Sequence, residues 1–90
     1  MTVNSRAHRR ELRRPAVQAL FGTDADAALD VLELTEFAWH DCYGVVSPPN
    51  DVVSDILKVS EGRLNLLSRA ARLAVEDYRD LRLQAEAIDS

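Results

Sequence analysis

Ninety residues with 47% hydrophobic and 29% charged side chains have the composition of one globular domain, near the size at which a single core holds without staples. One cysteine, Cys42, excludes an internal disulfide and fits a reducing compartment; no uncharged apolar run reaches the about 18 residues needed to cross a membrane, so the expected setting is cytoplasmic. The net charge of −4 is lopsided, because residues 1–15 hold five arginines against Glu11, a net of +4, which leaves −8 on the rest.

Residues 1–14 contain only Val3 and Leu12 as large apolar groups, which is too little burial to offset the entropy of ordering them. A flexible arginine-rich arm is therefore expected there. Pro15 suits the first turn of a helix, and a short helix from Pro15 to Phe21 is predicted, stopped by Gly22. Thr23 and Asp24 then open a second helix, with Asp24 and Asp26 where the helix dipole favours negative charge. It runs to Tyr43, where Gly44 ends it. Ala27, Val31, Leu34 and Ala38 form one apolar stripe, with Ala28, Leu32 and Trp39 beside it.

Val45 and Val46 lead to Ser47-Pro48-Pro49, where Ser47 is a candidate cap. Val52, Val53, Ile56, Leu57 and Val59 mark a third helix of about 12 residues, which breaks at Ser60-Glu61-Gly62. The most regular stretch follows. Leu64, Leu67, Ala71, Ala74, Tyr78, Leu81, Ala85 and Ile88 alternate in steps of three and four, which places them on one face of a single long helix. Arg72 with Glu76 and Arg82 with Glu86 are i,i+4 pairs off that seam. At 1.5 Å per residue the helix spans roughly 37 Å against roughly 18 Å for the third helix, so something else must cover its far end.

The expected fold is all-α, a small antiparallel helical bundle of about four helices with a long C-terminal helix. The expected division is residues 1–14 as a disordered arginine-rich arm and residues 15–90 as one helical domain. No catalytic, cofactor-binding or metal-ligating residue is assigned. His40 and Cys42 lie two apart, on nearly opposite sides of a helix, and packing and capping roles suffice for both. Glu33, Glu36 and His40 lack the Glu-x-x-His spacing and the second ligand set of a carboxylate metal site, and read instead as a solvated acidic face.

The first function expected is a non-enzymatic protein–protein interaction module. Its candidate surface is Trp39, His40, Tyr43, Leu81, Ala85 and Ile88, and its partner is either an unknown protein or a second copy in a weak homodimer. The alternative is nucleic-acid binding. It would use Arg6, Arg9, Arg10, Arg13 and Arg14 of the arm together with segment 51–72, where Asp51-Val52-Val53-Ser54-Asp55-Ile56-Leu57-Lys58-Val59-Ser60-Glu61-Gly62 resembles the start of the helix-turn-helix in sigma-factor DNA-binding regions. That resemblance implies Arg63, Asn65, Arg69 and Arg72 as groove contacts. It departs from the family at Lys58, where glycine is usual, and at Leu66 and Leu67, where a polar surface is needed.

Over about residues 15–85 the chain also resembles short all-helical actinobacterial proteins of mycobacterial type and unknown function. Trp39-His40-Asp41-Cys42-Tyr43-Gly44, Arg69-Ala70-Ala71-Arg72-Leu73-Ala74 and Asp77-Tyr78-Arg79-Asp80-Leu81-Arg82 carry the likeness. It implies a helical fold and brings no activity with it.

Overall fold

The computed structural model describes residues 5–89. Its elements are α1 (Arg6–Phe21), a 3-10 turn (Gly22–Asp24), α2 (Ala25–Tyr43), α3 (Asn50–Ser60) and α4 (Leu64–Asp89), with no strand among the described residues. The fold is all-α, and no helix among the described residues is long and apolar enough to cross a membrane.

The first correction concerns the arm. Residues 1–4 lie outside the described residues, but residues 6–14 are the first half of α1, capped by Ser5, whose hydroxyl accepts from the His8 amide at 3.2 Å. Apolar burial is the wrong criterion for this segment, because charge orders it. Arg14 reaches Asp26, Arg10 reaches Asp30 and Glu33, and Arg6, Arg9 and Arg13 converge on Glu36. From Arg14 through Arg10 to Arg6 the partners advance from Asp26 through Asp30 to Glu36, so α1 and α2 run antiparallel. Val17 and Phe21, both in the final part of α1, are its buried residues.

The buried face of α2 is the second of the two apolar stripes expected. Ala28, Leu32 and Trp39 do face the core, joined by Ala25, Leu29, Thr35 and Glu36, whereas Ala27 and Leu34 lie in solvent. Apolar residues surround most of α2, so periodicity leaves two neighbouring stripes in competition. The one beside Glu36 turns inward because α1 brings arginines to that side.

α3 packs on α4, burying Val52, Val53, Ile56 and Leu57, and α4 also packs on α2. The seam of α4 is largely interior: Leu67, Ala71, Ala74, Leu81 and Ala85 are buried, Leu64 is partly buried, and Tyr78 and Ile88 are exposed. The helix is not straight, however. Asp77 leaves helical geometry at φ −159°, ψ 87°, and its Oδ1 accepts from the amides of Arg79 at 3.1 Å and Asp80 at 3.3 Å. Asp77 thus caps a new helical segment, residues 78–89, inside what the sequence presents as one helix.

This break resolves the length mismatch. A straight helix from Leu64 would run past the 11-residue α3 after about 11 residues of its own, leaving Arg82 roughly 10 Å beyond α3. Instead Arg82 Nε donates to Asp55 Oδ2 at 2.6 Å and its Nη2 donates to Asp51 Oδ2 at 3.0 Å. Segment 78–89 is carried back onto the chain's own α3, and Leu81 and Ala85 are fully buried there. Two of the three residues expected to carry a homodimer, Leu81 and Ala85, are therefore not surface, while Ile88 stays exposed.

Candidate functional site

The kink also builds a concavity. Trp39 and Tyr43 come from the end of α2, Val45 and Pro49 from the connection to α3, and Asp51, Val52 and Asp55 from the start of α3. Tyr78, Arg79 and Arg82 come from the segment that follows the break, and the groove they close has a volume of about 470 Å³.

Its floor is aromatic. The rings of Trp39 and Tyr43 are 4.3 Å apart, and Tyr78 meets them at 6.0 Å and 6.1 Å, the latter edge-on, which are the distances and tilts that favour quadrupole attraction. At 4.3 Å nothing fits between Trp39 and Tyr43, so the three rings make a wall rather than a cage. Tyr43 is fixed by its hydroxyl, which donates to the Val75 carbonyl at 2.8 Å. That carbonyl would ordinarily accept from the Arg79 amide, but Asp77 has taken that donor. The break therefore supplies both the position of Tyr78 and the acceptor that holds Tyr43.

Two features of the wall are unsatisfied. Trp39 is 4% exposed, and its Nε1 is the one buried side-chain polar atom without a hydrogen-bond partner among the described residues. Arg79 has no ion-pair partner among the described residues. Arg82 differs: its hydrogen bond to Asp55, then the nearby negative charge, raise its pKa above the ordinary value.

The second charged constellation lies between α1 and α2. Glu36, 2% exposed, receives Arg9 Nε at 2.6 Å, Arg13 Nη1 at 2.9 Å and the Ser47 hydroxyl at 3.0 Å. Burial alone would push its pKa up, but the hydrogen bonds from Arg9 and Ser47 and the charges of Arg13 and Arg9 outweigh it, and the carboxyl is held below its ordinary value. Arg13 Nη2 also donates to Ser47 Oγ at 2.8 Å. Ser47, expected to cap α3, is thus the pin that ties the 44–49 connection to α1 and α2, and α3 starts instead at Asn50, with the Pro49 carbonyl accepting from Val52 and Val53.

Among the interaction residues expected from the sequence, His40, Tyr43 and Ile88 are exposed, whereas Trp39, Leu81 and Ala85 are buried. Only Trp39 and Tyr43 line the groove. Arg63, Asn65, Arg69 and Arg72 of the helix-turn-helix-like segment are exposed, with Arg72 on Glu76 at 2.9 Å. The anticipated Arg82–Glu86 pairing gives way to Asp55 and Asp51 for Arg82. The sequence reading missed Tyr78, Arg79, Asp51 and Asp55 as groove residues. One signal was present: Asp77 followed three residues later by Asp80 has the form of a helix start, but no Gly or Pro marks it.

Fold and site together define an all-helical protein with an aromatic-walled groove and an arginine-clamped buried glutamate. No protein-family model, no curated protein and no solved structure matches the chain.

Proposed function

We propose that this chain is a small antiparallel helical bundle that serves as a non-enzymatic protein–protein interaction module and takes its partner in the aromatic groove. The partner is a peptide segment that inserts an apolar side chain against Tyr43, Val45 and Tyr78 and sets a carboxylate on Arg79. One observation supports the reading above all others: the groove has the size of a binding pocket, about 300 to 1,000 Å³, is walled by aromatic rings, and carries a cation at its edge that nothing in the described chain neutralises. Aromatic and arginine side chains are the types that dominate binding energy at interfaces. The lone exposed thiol of Cys42 fits a reducing compartment, which supports a cytoplasmic setting for the module.

Affinity capture from cells that make the protein tests the reading when wild type is compared with Tyr78→Ala and Arg79→Glu. Both positions are exposed, so both variants should keep the wild-type circular dichroism. A partner held by wild type and lost by both variants is the expected result; a partner held equally by all three removes the groove as the site. Nucleic-acid binding is the weaker reading, because Arg6, Arg9, Arg10, Arg13 and Arg14 are engaged by carboxylates when α1 is docked.

A further inference from the structure

The contact between α1 and α2 differs in kind from the rest of the interior. No apolar side chain is buried between Arg6 and Arg14, and Leu12, the one large apolar residue there, is 67% exposed. What holds this half of α1 is charge, together with the Arg6 guanidinium 4.0 Å above the Phe37 ring. The joint is also weakened at one point: Pro15 has no N–H to offer the Glu11 carbonyl, so one rung of the helical ladder is missing between residues 6–14 and the apolar anchor formed by Val17 and Phe21.

The carboxylates it meets form a row. Asp26, Asp30, Glu33 and Glu36 are three or four residues apart, about 5 Å per step along the axis of α2. A nucleic-acid strand also presents a row of negative charges, about 3.4 Å apart along a duplex axis. The spacings differ, but the arginine face of α1 already binds a linear array of anions, the kind of charge a phosphate backbone offers.

We propose that residues 6–14 are a releasable latch, docked on the acidic row of α2 at low ionic strength and transferred as a unit to the phosphate backbone of a nucleic acid, which takes the place of that row. Release has a consequence inside the chain, whatever the groove binds. Arg13 and Glu36 both hold Ser47, so lifting the latch loosens the connection whose Val45 and Pro49 wall the groove.

The exposed Cys42 is the only cysteine, so a nitroxide attached to it reports on α1 through paramagnetic relaxation of its amides. Arg6 contacts Phe37, less than two helical turns from Cys42, which puts the start of the docked latch near the label. With the full chain in 20 mM NaCl and a 16-base-pair DNA duplex as probe, relaxation enhancement at residues 6–10 should fall at least twofold as the duplex saturates, while that of α3 stays constant. In about 1 M NaCl without duplex a smaller fall is expected, because the pairs on exposed Asp26 and Asp30 are screened while those on buried Glu36 are screened much less. No binding of the duplex in 20 mM NaCl, binding with the enhancement at residues 6–10 unchanged, or equal change in α3 each overturns the proposal.

A second measurement uses positions that the core does not need. Asp26 and Asp30 side chains are 78% and 68% exposed, and the double variant Asp26→Asn, Asp30→Asn should tighten duplex binding at least threefold more than Glu76→Gln, Asp80→Asn, which removes the same charge away from the row. Equal effects of the two double variants would mean that the row does not compete with DNA.

Discussion

At the residue scale, Glu36 concentrates the electrostatics of the fold. Its pKa is held below the ordinary value of 4.5, so between the two values the unfolded chain binds more protons than the native one, and stability rises with pH. The contribution is complete above about pH 4.5 and is lost as acid carries the carboxyl through its lowered native pKa. Glu36→Gln should lower stability at pH 7 by about 2 to 4 kcal/mol, since it leaves Arg9 and Arg13 mostly buried beside a neutral amide. It should also flatten the acid limb of the melting temperature measured from pH 3 to 7; an unchanged limb would place the acid sensitivity elsewhere. The glycines give a second contrast. Gly62 has φ +74°, and a Cβ there would sit 2.6 Å from the Leu20 carbonyl oxygen, whereas Gly44, at φ +76°, opens onto empty space. Gly44→Ala should cost about 1 to 2 kcal/mol for left-handed geometry alone, and Gly62→Ala clearly more in the same urea titration, because the end of α1 must also move. Periodicity exposes neither Glu36 nor the Gly62 contact: an acidic residue on an acidic face gives no sign that arginines 23 and 27 positions earlier will enclose it.

At the scale of elements, the break in α4 matters most. Asp77 donates no apolar surface and interrupts no seam position, so the three-four pattern passes through it unbroken. A helical repeat records which residues share a face and is insensitive to a turn of direction that preserves the face on both sides. Asp77→Ala removes the side-chain cap on residues 78–89, and a loss of about 0.5 to 2 kcal/mol is expected, together with weaker quenching or a shifted emission of Trp39, the only tryptophan, as Tyr78 and Tyr43 lose their places. Unchanged emission would show that the aromatic wall does not depend on the break. Upstream of Asp77, Ala71 and Ala74 are 6% and 0% exposed, small residues on the interior side of α4. Ala74→Leu forces volume into that contact at about 1 to 3 kcal/mol, whereas Gln84→Leu, exposed, should leave the melting temperature nearly unchanged.

At the scale of the whole molecule, the chain closes its seam on itself. Leu81 and Ala85 are each 0% exposed, so Leu81→Ala should cost about 2 to 5 kcal/mol, and truncation after Arg82 should lower stability rather than release monomers from a dimer. Sedimentation equilibrium checks this, with the mass of one 10.1 kDa chain expected for the intact protein. The all-α class, the starts of α2 and α4 to within about a turn, the breaks at Gly44 and Gly62, and the α4 seam were all legible in the sequence, because each rests on local chemistry: capping residues, glycine in left-handed geometry, and apolar spacing at the helical period. Tertiary structure alone decided the rest. The arginine segment folds because carboxylates on another helix neutralise it, the inward face of α2 is chosen by the same pairing, and segment 78–89 returns to α3 because an aspartate can replace helical hydrogen bonds with its own. Each of these depends on which side chains meet across the fold, a distance in space that no spacing along the chain encodes.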